Sequence, residues 1–282
     1  PTVYMDDASK SILSKNESPD VGFDVGLNPY RGCEHGCVYC FARPMHEYLG
    51  FSAGIDFETR IMVKRRAPEL LREALRSRSW KPQVIGMCGA TDAYQPVERE
   101  LKITRGCLEV LTEARNPVAI ITKNRLVMRD IDLLQELAKF DAVVVFISLT
   151  TLDLELNRRM EPRSSSPSQR LEAIAALSKA GIPVGVLTAP TIPGLNDHEL
   201  PELLKAAATA GARQAGYILL RLPLAVAPMF ERWLEQHYPL RKEKVLNRLR
   251  AMRGGELYKS GFGQRMRGEG PQAEQLRDWF DL

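Results

Sequence analysis

A chain of 282 residues that is 44% hydrophobic can bury one large core, and its 26% of charged residues is ordinary for a globular protein. A formal net charge of +4 permits an anionic partner without requiring one. No run approaches the roughly 20 apolar residues of a membrane span, so no membrane partner is expected.

In chain order, residues 1–20 read as an N-terminal segment. PTVYMDDASKSILSK lacks the apolar centre of a secretion signal, and Pro1 in place of Met points to a trimmed or processed chain. A weak strand over Val21–Leu27 leads into NPYRGCEHGCVYCF (28–41). From about residue 80, short apolar runs alternate with amphipathic stretches: QVIGMC (83–88), VAIIT (118–122), AVVVFISL (142–149), PVGVLT (183–188) and GYILLRL (216–222). Their Val, Ile and Leu content without polar alternation is that of parallel strands covered on both faces. A helix after Val97 groups Leu101, Leu108 and Leu111, and the next groups Ile131, Leu134 and Leu137. Ser166–Pro167–Ser168–Gln169 supplies an N-cap, an N1 proline and a capping-box glutamine. Leu171, Ile174 and Leu177 form that helix's stripe, and Gly181 ends it. A fourth helix opens at Asn196 or Asp197 and ends near Gly211.

Six β/α units with right-handed crossovers make an α/β fold, a partial (β/α)6 barrel of the TIM type over 21–223. Residues 224–282 read as a helical and loop-rich C-terminal extension packed on the same domain. Functional groups in such folds collect at the C-terminal ends of the strands.

Cys33, Cys37 and Cys40 form C-x3-C-x2-C on the loop after the first strand. Five cysteines, an odd number with three crowded together, do not suit a secreted disulfide framework, and a reducing cytoplasm is the expected location. Three neighbouring thiolates can bind zinc, ligate an iron–sulfur cluster or form a redox pair. A closed zinc site needs a fourth ligand, and neither His35 nor His46 stands at a common finger spacing; both read as surface or supporting groups. An electron-transfer cluster takes four cysteines, so three would leave one iron open to a small molecule.

C-x3-C-x-aromatic-C, with Tyr39 as the aromatic, resembles the signature of radical S-adenosylmethionine (SAM) enzymes. NPYRGCEHGCVYCFARP, TDAYQPVE, RRMEPR and APTIPGLND resemble the branch that contains spore photoproduct lyase. The resemblance implies that Cys33, Cys37 and Cys40 hold a [4Fe–4S] cluster. SAM would chelate the fourth iron, and an external one-electron donor of the flavodoxin or ferredoxin type would reduce the cluster. It further implies that Thr91 or Asp92 meets the SAM ammonium and that Lys123 meets the methionine carboxylate. Ser148 and Thr150 would meet the ribose and carboxylate, and Arg158 or Arg159 the same anionic end. Pro190–Asn196 would flank the adenine, on which Tyr39 would pack. Read as residues alone, Asp92 equally caps a turn, Lys123 equally ends a strand in solvent, and Tyr39 is equally a packing ring.

The branch implies radical repair of a lesion in DNA, a lyase-type reaction, with Cys88 near the position of a hydrogen donor and Tyr39 as part of a relay. Cys88 also reads as a small core residue, and Cys107, within a helix, as structural. Phe41 stands after Cys40, where the relay would need a second tyrosine. Arg250, Arg253, Lys259, Arg265 and Arg267 among Tyr258 and Phe262 are a set that can bind phosphates and stack bases. They equally make a lid paired with Glu256 and Glu269. Three readings follow: a radical SAM enzyme acting on a damaged or modified base of a nucleic acid, one acting on a peptide or small metabolite, and a non-catalytic zinc or iron–sulfur protein.

Overall fold

The computed structural model describes residues 1–87 and 89–281. Cys88, and with it the hydrogen-donor expectation, lies outside the described residues. The strands are β1 (Val3–Asp6), β2 (Leu13–Lys15), β3 (Val25–Leu27), β4 (Tyr30–Arg31), β5 (Arg60–Val63), β6 (Ile85–Met87), β7 (Val118–Thr122), β8 (Val143–Ser148), β9 (Val184–Thr191) and β10 (Gln214–Leu219). Seven of them form one sheet in the order β10-β9-β8-β7-β6-β3-β2. Every pair from β3 to β10 along this sheet is parallel, and β2 runs antiparallel along the β3 edge. Six parallel strands in sequence order are the array that successive right-handed β/α units build. The fold is thus mixed α/β with an open-edged parallel sheet among the described residues, as in a partial rather than a closed barrel. A second, small sheet, β1-β5-β4, stands beside the chain that follows β4.

The helices are α1 (Asp56–Thr59), α2 (Ala67–Arg76), α3 (Glu98–Leu101), α4 (Ile103–Ala114), α5 (Ile131–Ala138), α6 (Leu154–Met160), α7 (Pro167–Lys179), α8 (Leu200–Thr209), α9 (Val226–His237), α10 (Pro239–Ala251), α11 (Gln264–Arg267) and α12 (Pro271–Asp281). Helix α7 begins as its sequence dictates. Ser166 Oγ accepts from the Gln169 N–H at 3.4 Å, Gln169 Oε1 accepts from the Ser166 N–H at 3.0 Å, and Gly181 follows with φ 75°.

Three expectations change. The strand around 21–27 shortens to β3, because Asn16 takes over the backbone at its start, donating to Phe23 O and Asp24 O. The single helix after Val97 becomes α3 and α4, broken at Lys102 with φ 53°. The buried Glu98 carboxylate explains the break: it accepts from the Thr104 N–H at 3.0 Å and from Tyr30 Oη at 2.5 Å, and the chain turns to present that N–H. The fourth helix begins at Leu200 after a 3₁₀ turn, since Asn196 spends its side chain elsewhere.

A large apolar cluster lies between the sheet and helices, including Ile85, Ile120, Val145, Leu108 and Leu177. A second joins Cys37 and Tyr39 to Leu219, Phe230, Leu249 and Leu276, so the C-terminal helices close over the cysteine loop. Among the described residues no helix is long and apolar enough to cross a membrane.

Candidate active site

The cysteine loop is shaped by backbone constraints before its thiols matter. Gly32 (φ 79°) and Gly36 (φ 68°) occupy the left-handed region that favours glycine. A Cβ on Gly36 would stand 2.6 Å from Arg163 Nη2 and from Glu58 Oε2. Gly36→Ala therefore combines strain with a clash and is expected to cost about 1–3 kcal/mol. Urea unfolding checks this; an unchanged midpoint would contradict it.

Arg43 holds the loop from beneath. It is fully buried, its Nε donates to Cys37 O at 2.9 Å, its Nη1 donates to Ala53 O and Gly54 O, and its Nη2 meets Glu58 Oε1 at 2.6 Å. Arg163 closes the other side, donating to Glu34 O and to Glu58 Oε2. The Cys33 N–H donates to Phe57 O at 2.9 Å and the Val38 N–H to Met160 O at 3.0 Å. Neither arginine was singled out from sequence, because their partners lie in distant segments.

Cys33 and Cys37 are each 7% exposed, Cys40 is half-buried, and all three are free thiols. Burial pushes Cys33 well above its ordinary value, with Asp92 and the two other cysteines adding to the shift. Burial also pushes Cys37 up to about 12; Glu161 adds to this and Lys123 opposes it. Such thiols ionise only if a positive group arrives to compensate them. Among the described residues, no three His, Cys, Asp or Glu side chains are arranged to hold a single metal ion. Cys107 is buried in α4 within the main core, as a small apolar residue would be.

Two buried carboxylates flank the loop. Asp92 accepts from the Tyr94 N–H (2.9 Å), Thr122 Oγ1 (2.7 Å) and the Lys123 N–H (2.8 Å), and faces His35 Nδ1 at 3.3 Å. Asn124 Nδ2 lies 3.2 Å from His35 Nε2, so both ring nitrogens of His35 are taken. His46 is buried, with Nε2 3.0 Å from Arg60 O. Burial alone would raise the Asp92 carboxyl, but His35 and the converging donors outweigh it and hold Asp92 at about 2.

Glu161, in RRMEPR, is the second hub. Tyr39 Oη and Thr150 Oγ1 donate to its Oε1, and Asn157 Nδ2, Ser164 Oγ and Arg170 Nη2 donate to its Oε2. Burial opposes its ionisation, yet Arg170 and Lys123, with these donors, hold it at about 2. Asp92 and Glu161 thus titrate lower folded than unfolded, where carboxyls sit near about 4. Their stabilisation is complete above about pH 4 and is lost as the pH falls toward about 2. Thermal denaturation of the wild type is expected to fall more steeply across that window than that of Glu161→Gln, and parallel curves would contradict this.

The remaining expected positions divide. Thr91 Oγ1 donates to Gly32 O at 2.6 Å, tying the strand end to the cysteine loop. Lys123 is half-buried, with Nζ 5.9 Å from the centre of the Tyr39 ring. Ser148 is buried at the end of β8, and Thr150 just beyond it. Arg158 is exposed; Arg159 pairs with Glu155 at 2.8 Å, donates to His237 O and lies against Tyr238. The guanidinium that reaches the buried Glu161 carboxylate belongs to Arg170, whose Nη1 also donates to Ser148 O at 2.8 Å. A signal for it existed: Arg170 stands in line with Ile174 and Leu177, on the apolar stripe of α7. Asn196 Nδ2 donates to Thr150 O and Pro190 O, so that loop braces the ends of β8 and β9.

The pattern of the Radical SAM superfamily matches residues 27–207. An uncharacterized protein of Mycobacterium tuberculosis (strain H37Rv) is 36% identical over 255 residues, covering 89% of this chain and 72% of its own length. An uncharacterized protein of Methanocaldococcus jannaschii is 29% identical over 222 residues, 79% of each chain. Among solved structures, spore photoproduct lyase complexed with dinucleoside spore photoproduct shares the fold, with a TM-score of 0.67, 16% identity, and 99% of this chain and 77% of that chain covered. A double mutant of that lyase with bound AdoMet and the same dinucleoside matches with a TM-score of 0.61 and 16% identity, over 84% of this chain and 66% of that one. With the family pattern spanning the cysteine loop and strands β6 to β9, well over half of the chain, the chain belongs to the radical SAM superfamily.

Proposed function

We propose that this chain binds a [4Fe–4S] cluster through Cys33, Cys37 and Cys40, cleaves SAM reductively on it, and acts on a damaged or modified base of a nucleic acid. The observation that carries the reading is a set of three free thiols on one braced loop, two of them buried and Cys40 half-buried, with the fourth described cysteine, Cys107, packed in the main core. The residues fit a cluster. A cubane spreads three thiolates over three irons, so it does not ask them to converge as one ion does, and its positive charge compensates thiols that burial disfavours ionising. When bound, cluster and SAM supply one-electron cleavage of the sulfonium to methionine and a 5′-deoxyadenosyl radical that abstracts hydrogen.

The chain's own groups then bind and orient. Arg43 and Arg163 fix the loop so that ligation costs little reorganisation. Lys123, beside Tyr39, offers its ammonium to the methionine carboxylate, and Thr91, Ser148 and Thr150 line the SAM side. Asp92, its oxygens already satisfied, works by holding the His35 ring and the Lys123 backbone. The Tyr39 hydroxyl donates to Glu161, which gives the phenol a built-in proton acceptor. Cys88 is proposed as the hydrogen donor, residues 21–223 as the catalytic unit, and a cytoplasmic flavodoxin- or ferredoxin-type protein as the source of the electron.

The shared fold with a lyase whose ligand is a dinucleoside photoproduct supports a nucleic-acid substrate. Phe41, a ring with no hydroxyl that packs under Arg221, favours a base other than the photoproduct itself. The test is anaerobic: assemble the cluster with iron and sulfide, add dithionite and SAM, and quantify 5′-deoxyadenosine and methionine with and without ultraviolet-irradiated DNA. The reading expects cleavage, stimulated more by damaged than by intact DNA. An assembled cluster that leaves SAM whole would overturn it. Cleavage indifferent to every nucleic acid would move the substrate to the peptide and metabolite class.

A further inference from the structure

Beyond the end of β10, outside the residues that the family pattern matches, Arg221 and Arg253 lie within electrostatic reach of each other. Arg253 is 1% exposed, yet only its Nη2 is bonded, to Leu220 O at 2.7 Å and Arg265 O at 3.3 Å. Its Nε and Nη1 have no hydrogen-bond partner, and neither has the buried Nε of Arg221. These are three of the five buried side-chain atoms left unpartnered among the described residues, so the deficit is local. Arg221 otherwise reaches Met266 Sδ, at 3.9 Å, and the ring of Phe41.

A buried guanidinium short of acceptors, as in Arg253, is costly, and the positive charge of the half-buried Arg221 within electrostatic reach adds to the cost. Burial first, partly offset by Tyr258, whose ring centre lies 5.9 Å from the guanidinium, and with the repulsion of Arg221 added, pulls Arg253 down to about 10. Asp20, the carboxylate within electrostatic reach of Arg221, is spent on the Gly263 N–H at 2.6 Å and Arg265 Nε at 2.5 Å. The missing partner is therefore an anion with several acceptor oxygens. Its surroundings say which kind. Arg221 lies 4.6 Å over the ring of Phe41, next to Cys40, and Arg265 lies 4.6 Å over Phe262. Those rings are 39% and 57% exposed, aromatic surface of the kind on which nucleobases stack.

We infer that Arg221 and Arg253 form a phosphodiester clamp that seats one phosphate of a nucleic-acid strand beside the cysteine loop, with flanking bases at Phe41 and Phe262. This rests on the nucleic-acid reading above and gives it an address. The clamp would set the distance between the strand and Cys40, which a charged tail elsewhere on the surface would not.

The experiment measures binding of a single-stranded DNA oligonucleotide to the cluster-loaded full chain by fluorescence anisotropy across a salt series. Arg221→Gln is compared with Arg241→Gln, which removes the same charge from the exposed face of α10. Arg221→Gln is expected to weaken binding roughly tenfold and to lower the slope of log affinity against log salt by about one, while Arg241→Gln changes both much less. Oligonucleotide at one fixed excess should also raise the melting temperature of the wild type more than that of Arg221→Gln. Wild-type affinity and slope in Arg221→Gln, or equal losses in both variants, would overturn the clamp. Displacement of the oligonucleotide by inorganic phosphate at equal phosphate concentration would also overturn it, assigning the pair to a free phosphate. SAM cleavage by the wild type, run in parallel, separates the two failures: its absence defeats the proposed reaction whatever the binding shows, whereas cleavage without an Arg221 effect defeats the clamp alone.

Discussion

Replacing Cys33, Cys37 or Cys40 with Ala, one at a time, is expected to abolish cluster assembly and SAM cleavage together while leaving the protein folded. The loop keeps its shape through main-chain groups, the Cys33 N–H on Phe57 O and the Cys37 carbonyl under Arg43, and these survive the loss of a thiol. What disappears is ligation. A cluster with two remaining thiolates has no fixed seat, and the geometry that leaves one iron open for SAM is lost with it. Cys107→Ala is the control, since that residue packs in the main core and should keep both properties. Iron and sulfide content, 5′-deoxyadenosine yield and a circular-dichroism melt check the set. Full cleavage by any one of the three variants would remove that residue from the ligand set.

The second large effect is on stability. Glu161→Gln keeps the size of the side chain but strips the charge that faces Arg170, where the two side chains are 0% and 1% exposed. Breaking one half of a buried ion pair typically costs about 3–5 kcal/mol, because the other half stays charged and unsolvated. The loss should appear as a lower urea midpoint with an unchanged slope. Removing Arg170 as well, as Glu161→Gln with Arg170→Met, should cost less than the sum of the two single changes, since the residues act through one contact. Additive losses would show that Glu161 is held mainly by Tyr39, Thr150 and Asn157.

The parts of this fold that were legible in sequence are those decided locally. The capping box of α7 and its closing Gly181 lie within a few residues of the groups they satisfy, and the unalternating strands β7 to β9 announce burial on both faces. The break at Lys102 was not legible, because its cause, the Glu98 carboxylate, is set by Tyr30 across a sequence separation of 68 residues. The site divides in the same way. The cysteine spacing is a local motif and was read directly. Arg43, Arg163 and Arg170 work through backbone carbonyls and carboxylates brought together only by the fold. Arg159 is the reverse case: it adjoins a legible motif, but its partners, Glu155 and the carbonyl of His237, are set by its position on α6 and the packing of α9.

The central claim is that three thiolates hold a cluster with one iron open to SAM. Electron paramagnetic resonance of the anaerobically reduced, cluster-loaded protein, recorded before and after SAM is added, tests it most directly. Chelation of SAM at the open iron changes that iron's ligands, so the account predicts a reduced [4Fe–4S] signal whose g-values shift with SAM. In each cysteine variant the signal should be lost. A signal indifferent to SAM, or a protein that carries one tightly held zinc and gives no iron–sulfur signal at all, would contradict the account.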